Sequence, residues 1–395
     1  KTFSLFYFNY FSLAKLEFFS IWRLPSAASI LALVLLLGSC SNVDNVYDSM
    51  RRIESDGAPA YNSVRLEQLQ LDSVRYSGES FSWAQEGQGI CCLDIFYGWL
   101  YRFDAEGHLI KRTLGNGRAS NESIIKHYMI GTMSGDGELA IAGSSLDFEY
   151  FSKDLTAVNR FLIVKDQQKE YAPSEFLAYT TPGDCIARFY KGKLYEGLVS
   201  DIPDFIFGPD YEKKVCHIGV VDMTEGKALK SEIQGLPSMF SEDKAKYRGM
   251  DFVMFDIDNQ DNMYIGFAAD SLVYVFDHNR KPKFAFGRSG VNMDTDYERF
   301  GSLDEMNAYR TNITKKGYYY WIEYIDETGV CFRSYKKGAD SEYDGLQVYK
   351  DGKLLADCET PKGFKVVGYI APYYYSQIIG GEEDGSLMVY RFKLD

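Results

Sequence analysis

Four histidines are the first place to look for chemistry: His108, His127, His217 and His278. They are scattered, with neither HxH nor HExxH spacing, so they carry no zinc or metalloprotease signature. His108 and His278 fall in polar turns and read as exposed turn residues. Residues 256–262 (DIDNQDN) cluster carboxylates. An EF-type calcium loop wants Asp or Asn at its fifth position and Gly at its sixth, where Gln260 and Asp261 stand. No bidentate Glu follows at the far end. These residues read instead as shaping the turn before a strand at Met263. Acid pairs such as Asp201 with Asp204, or Glu382 with Asp384, are plentiful. Glycosidase chemistry needs two carboxyls at a fixed separation in space, which abundance along a chain does not supply.

Other catalytic patterns are missing. The segments GTMSG (131–135) and GRSG (287–290) lack the G-x-S-x-G spacing of a nucleophile elbow. Gly115-Asn-Gly117 continues into Arg-Ala-Ser, so it is neither a P-loop nor a GxGxxG fingerprint. The sequence calls for no catalytic residue, metal or cofactor. Of seven cysteines, Cys91, Cys92, Cys185, Cys216, Cys331 and Cys358 lie in the body of the chain, with no CxxC pair. Their apolar surroundings point to buried reduced thiols, with one or more bridges as the alternative. Cys91 and Cys92 face opposite sides if they lie on a strand, a poor geometry for a disulfide.

Binding residues are a second class of candidate. Arg118 and Arg288 sit in two Gly-rich loops, where a guanidinium can take a carboxylate or sulfate partner. The aromatic runs 318–321 (YYYW) and 373–375 (YYY) offer stacking surfaces, with Tyr374 as the ligand-contact candidate. On a strand, alternate members of such runs face opposite sides, so half of them pack inward.

The elements that must position these residues are strands. Aromatics make up 16% of the chain, with 31 Tyr and 27 Phe, and both favour pleated, half-buried surfaces. Short apolar or alternating runs recur, as in residues 137–142, 193–199, 262–267, 318–325 and 386–392, many just after Gly, Asp or Asn. Only residues 241–246 and 296–307 suit a short helix. The net charge of −13 argues against nucleic acid, because no basic excess is available for phosphates.

One pattern occurs twice. Residues 100–117 read LYRFDAEGHLIKRTLGNG and residues 273–290 read VYVFDHNRKPKFAFGRSG. Tyr101, Phe103 and Asp104 align with Tyr274, Phe276 and Asp277, and a Gly-rich loop ends each copy. Shorter variants stand at 186–194 (IARFYKGKL) and 346–354 (LQVYKDGKL). Each reads as strand, tight turn, strand. The shared Tyr and Phe are expected to pack and the shared Asp to form the turn. The long copies lie roughly 170 residues apart, which is three large or four small blades of about 40–50 residues. The expected fold class is all-β: a β-propeller of six blades, with seven as the variant and a pair of β-sandwiches as the alternative.

The N-terminus differs. Residues 30–37 (ILALVLLL) form an apolar run after Arg23 and before Gly38-Ser39-Cys40, the pattern of a signal peptide too short to span a bilayer. Leu37-Gly38-Ser39-Cys40 resembles the lipobox of bacterial lipoproteins, which implies lipidation at Cys40 and a membrane anchor there. The first twenty residues are unusually aromatic, and the start of translation is expected near Ile21 or Leu24. The resulting division is 1–39 signal peptide, 40–63 lipidated Cys and flexible tether, and 64–395 propeller.

Together the lipobox, the tether, the paired hairpins and the ending SLMVYRFKLD resemble the six-bladed TolB-like or NHL-like propeller lipoproteins of Bacteroides-type bacteria. The resemblance implies an outer-membrane lipoprotein, periplasmic or surface-exposed, and architecture more than activity. Asp48-Ser49-Met50 resembles the Asp-Ser/Thr-apolar O-glycosylation signal of such exported proteins, with Ser49 as the acceptor. The expected function is a binding or scaffold module with a glycan or envelope-protein partner. The alternative is a propeller enzyme acting on glycans as a lyase or hydrolase.

Overall fold

The computed structural model describes residues 45–54, 63–183, 185–200, 202–380 and 386–394. The signal segment, Cys40, Asp201, and Glu382 with Asp384 lie outside the described residues.

The body is a succession of antiparallel meanders. It opens with β1 (Arg52–Ile53) and β2 (Glu67–Leu71). The first meander is β3 (Ser80–Gln85), β4 (Gly89–Asp94), β5 (Trp99–Phe103) and β6 (Leu109–Leu114). The second is β7 (Tyr128–Met133), β8 (Leu139–Gly143), β9 (Asp147–Phe151) and β10 (Ala157–Leu162). Next come β11 (Ala187–Tyr190), β12 (Lys193–Gly197), β13 (Cys216–Asp222) and β14 (Lys227–Gln234). A further meander holds β15 (Val253–Ile257), β16 (Met263–Phe267), β17 (Val273–Phe276) and β18 (Pro282–Phe286). It is followed by β19 (Tyr318–Ile325), β20 (Val330–Lys336), β21 (Asp344–Lys350) and β22 (Lys353–Thr360). The chain finishes with β23 (Val366–Ile370), β24 (Tyr373–Ser376), β25 (Ile379–Gly380) and β26 (Leu387–Phe392).

The first strands of these meanders touch one another in chain order: β3, β7, β11, β15, β19, β23, and back to β3. The sheets are thus arranged around an axis, in the manner of a β-propeller. Four of them stand as separate sheets of four or five strands. The remaining nine-stranded sheet holds two meanders, β3–β6 and β23–β26 with β2, joined through β23 and β3.

Two contacts close this arrangement. β2 pairs antiparallel with β26, from Glu67 opposite Arg391 to Leu71 opposite Leu387, so the two ends of the body share one sheet. Leu71, Leu387 and Val389 are buried there. β23 pairs in parallel with β3 through Gly368 opposite Ala84 and Tyr369 opposite Gln85. Only glycine fits at 368. Its φ is 151°, and a Cβ there would sit 1.9 Å from the Ala84 carbonyl oxygen.

The repeated pattern is one hairpin used twice, as its sequence suggests. Tyr101 and Tyr274 lie on the third strands of their meanders, and Phe103 and Phe276 are buried. In the turns, Asp104 Oδ1 accepts the Glu106 and His108 backbone N–H groups. Asp277 Oδ1 accepts those of Asn279 and Lys281 in the same pattern. This is an Asx turn, in which a short carboxylate replaces a backbone acceptor. The shorter variants are also hairpins but occupy different places. One joins the inner strands β11 and β12, the other the outer strands β21 and β22.

Three departures from expectation have physical causes. The helix expected over 296–307 lies at Met306–Lys315, with a 3₁₀ turn at Leu303–Glu305 before it. Its anchor is Asn312, which is buried, accepts the Glu298 N–H and donates to the Glu298 carbonyl. The region near 241–246 forms two short helices, Ser238–Glu242 and Lys244–Tyr247, with the Asp243 side chain capping the second. Residues 45–54, part of the expected tether, pack against the body. Tyr47 is buried beside Phe267, Tyr274 and Phe276, and β1 adds to the edge of β18 in parallel.

The cysteines are buried in apolar clusters as expected, save Cys185, which is half-buried. None of the six is bridged. Cys92 packs with Leu71 and Tyr101, whereas Cys91 packs with Ile141 and Phe151, on opposite faces of β4. Burial pushes both thiols up, to about 11 for Cys91 and about 12 for Cys92.

Candidate functional site

A cavity of about 250 Å³ lies among the innermost strands. β3 gives it Ser80, Phe81, Ser82 and Trp83; β7 gives Ile130 and Gly131; β11 gives Ala187 and Arg188. Trp321 of β19 and Val367 of β23 complete the strand walls. Gly183 and Cys185 enter from the chain before β11, Lys365 from before β23, and Gln377 from after β24. Side chains alternate along a strand, so every second residue of an innermost strand is turned to the same side. Gly131 lets the Phe81 and Leu93 side chains pack directly on its backbone, since a Cβ there would meet them at 2.6 and 2.7 Å.

Arg188 is the most heavily supported of these residues. Its Nε donates to Asp256 Oδ1 at 2.6 Å, and its Nη2 to Glu323 Oε2 and the Ile322 carbonyl, both at 2.8 Å. Its Nη1 donates to the Ala187 carbonyl at 3.1 Å. These bonds draw on three sheets and fix the guanidinium plane. Asp256 is fixed in turn, because its Oδ2 accepts the Tyr324 N–H at 2.6 Å. Burial pushes the Glu323 carboxyl well up from its ordinary range, against the pull of Arg188. Asp256 and Glu323 do not line the cavity, whereas Arg188 does.

Trp321 organises the cationic side. The Arg188 guanidinium carbon lies 4.9 Å from the indole centre and Lys365 Nζ lies 5.0 Å from it. Both are within cation–π range. The indole Nε1 donates to the Val366 carbonyl at 2.6 Å, which fixes the ring. Gln377 binds the segment that carries Lys365, accepting the Lys365 N–H at 2.8 Å and donating to the Gly363 carbonyl at 2.7 Å. Among the described residues, the lining has two cationic side chains, three aromatic ones, two hydroxyls and no carboxylate.

The sequence candidates lie elsewhere. Arg118 is exposed in the loop after β6, and Arg288 is exposed in the loop after β18. The Arg288 backbone is held, its carbonyl accepting Tyr319 Oη at 2.9 Å and Gln347 Nε2 at 3.0 Å. Tyr374 is 5% exposed, with its ring 4.8 Å from Phe332 and 4.9 Å from Tyr369. Ser49 is exposed, and its hydroxyl donates to the Val46 carbonyl at 2.9 Å. His108, His127 and His278 are exposed. His217 is buried, with Nε2 3.5 Å from Asp251 Oδ2, and burial lowers its basicity. Asp251 also accepts Tyr211 Oη at 2.7 Å. In the 256–262 stretch, Asp258 accepts the Gln260 and Asn262 N–H groups, the turn-forming role expected of it.

Sequence reading missed Arg188, Asp256, Glu323 and Lys365 as a set. One local signal was present: Arg188 stands between apolar residues in a strand-like run, where a charge needs a buried partner.

No family model matches the chain, and no curated protein matches it. Among solved structures, a member of the DUF4221 family from Bacteroides vulgatus superposes with a TM-score of 0.61 at 12% identity. The match covers 84% of this chain and 98% of that one. The chain shares that protein's fold. A candidate exported protein from Bacteroides fragilis aligns with a TM-score of 0.49 at 12% identity, over 87% of this chain and 99% of its own. The β-propeller domain of Cps50 (Swd1) from Myceliophthora thermophila aligns at 0.42 and 10%, over 80% of this chain and 98% of its own. Among the described residues, no helix is long and apolar enough to cross a membrane.

Proposed function

We propose that this protein is a cell-envelope lipoprotein, lipidated at Cys40, whose body is a six-bladed propeller serving as a small-molecule binding module. The six-fold count is supported by the closed succession of inner strands, with the nine-stranded sheet divided at Gly368 into two blades. The lipobox-like Leu37-Gly38-Ser39-Cys40 supports the anchor. The binding reading rests on one observation: the axial cavity is walled by Arg188, Lys365, Trp321, Ser80 and Ser82, with no carboxylate among its described lining residues. A few placed polar groups among aromatic walls are the usual make-up of a ligand site.

A glycan-cleaving enzyme would need an acid and a base free to face the substrate. Among the described residues, Asp256 and Glu323, the carboxylates that pair with the lining residue Arg188, are both engaged by it. That arrangement favours holding a ligand over cleaving one.

The test is a thermal-shift screen of small polar metabolites against the wild-type protein and Trp321→Leu. Compounds that raise the Tm of the wild type are expected to lose that effect in the variant. Equal shifts in both proteins, or release of cleavage products from an oligosaccharide, would overturn the reading.

A further inference from the structure

We infer that the ring rests on the lipid bilayer by one face, the face from which the cavity is lined, and is held there by a short leash. This rests on the lipidation at Cys40 proposed above and adds an interaction surface and its occupant.

The first ground is where the chain is fastened. In an up-and-down meander the turns after the first and third strands lie at one end, and the connections after the second and fourth lie at the other. Asn45 Nδ2 donates to the Leu236 carbonyl at 2.7 Å, and Ser238 Oγ donates to Asp48 Oδ1 at 3.1 Å. Leu236 and Ser238 both belong to the connection after β14, a fourth strand. The buried Tyr47 and the pairing of β1 with β18 pin the same segment to the body. Five peptide steps lead from Cys40 to Asn45. Their reach is at most about 18 Å. A folded body of this size has a radius of gyration of about 20 Å, so such a leash cannot reach round the ring to present the opposite face.

The leash alone permits the body to lie on its rim or on the fastened face. The exposed apolar side chains decide between them. Phe96, Ile124, Val164, Ile202, Val291, Leu303 and Tyr343 are exposed, Phe96 at 70% and Val164 at 76%. All seven lie in connections that follow a second or a fourth strand, on the face where Asn45 is fastened. Among the described residues, the turns of the opposite face expose no large apolar side chain; the others that are exposed, such as Ile110 and Leu162, lie on the outer strands β6, β10 and β14. The seven are spread over several meanders rather than gathered in one patch. A flat bilayer meets such tips together, whereas a protein partner is better served by a contiguous patch. The net charge of −13 gives no general attraction to anionic lipid, so the contact is apolar.

The cavity belongs to the same face. Gly183 and Cys185 reach it from the connection after β10, Lys365 from the connection after β22, and Gln377 from the one after β24. Its ligand therefore enters from the gap between ring and bilayer.

The experiment is hydrogen exchange, read by mass spectrometry, on the lipidated full chain in dioleoylphosphatidylcholine vesicles. The comparison is the Cys40→Ser chain with the same vesicles. Peptides covering 95–98, 163–183 and 291–305 are expected to exchange about threefold or more slowly in the lipidated chain, with the turns at 104–108, 152–156 and 277–281 unchanged. Inserting roughly twenty Gly and Ser residues between Cys40 and Asn45 lengthens the leash and is expected to remove the difference. Slowing at the opposite turns, slowing at the outer strands alone, or no slowing in a chain that floats with the vesicles overturns this inference and leaves the lipoprotein standing. Slowing that persists in the lengthened chain overturns it likewise. A chain that carries no lipid and does not float with the vesicles overturns both.

Discussion

Arg188 and Trp321 meet across two sheets, with the guanidinium carbon 4.9 Å from the indole centre. Neither strand closes a site alone. The pair exists because β11 and β19 both run along the axis of the ring.

That placement makes Arg188 structural as well as functional. Removing one partner of a buried ion pair strands the other charge, at a cost of about 3–5 kcal/mol. Arg188→Met should lower stability by that amount in urea melts, since Asp256 and Glu323 lose their cation together. Arg188→Lys should recover little, because an ammonium cannot reproduce the fork. Adding Glu323→Gln to Arg188→Met should recover part of the loss. An Arg188→Met variant as stable as wild type would contradict the described network.

Gly368 joins two meanders. A side chain there would collide with the Ala84 carbonyl and would also require a backbone angle that L residues rarely adopt. Gly368→Ala should cost on the order of 3 kcal/mol, from strain and overpacking combined. Gly363→Ala is the control, with a positive φ but no atom within 4 Å of where its new methyl group would stand. It should cost less than half as much by thermal melting.

Much of the fold was legible because hairpins are local. Tyr101, Phe103 and Asp104 announce their strand and turn within a few residues, and Tyr274, Phe276 and Asp277 repeat them. The site was not legible for the opposite reason. Arg188, Asp256, Trp321 and Lys365 come from four meanders and converge only when the ring closes. Local pattern also misplaced the helix at Met306–Lys315, whose position is set by the tertiary contact of Asn312 with Glu298. The Tyr373–Tyr375 run reads equally well as surface or core, and neighbours distant in sequence, such as Phe332, decide where Tyr374 goes.

Glu196 gives the fold a pH dependence. It is 1% exposed, and burial raises its carboxyl from the ordinary 4.5 to about 7, with the Thr181 hydroxyl opposing. The folded state therefore holds a proton that the unfolded chain releases. The associated stability is fully present below about pH 4.5 and is lost as pH rises through about 7, a change on the order of 3 kcal/mol. Glu196→Gln should flatten the stability profile across that window. An unchanged slope in the variant would exclude Glu196 as its source.

The thiols report on the cavity. Cys91, Cys92, Cys216, Cys331 and Cys358 are buried, while Cys185 is half-buried and lines the cavity. In native protein, N-ethylmaleimide should modify Cys185 first among these six, as read by peptide mass spectrometry. Similar rates at all six would show that the core opens as readily as the cavity.

The central claim is that the axis of the ring is a binding site. It is tested most directly by a crystal structure of the protein soaked with a compound that raises the wild-type Tm in the thermal-shift screen. The account predicts density for the soaked compound inside the cavity, against the Trp321 ring. Density only at surface positions, with the cavity holding nothing but water, would contradict it.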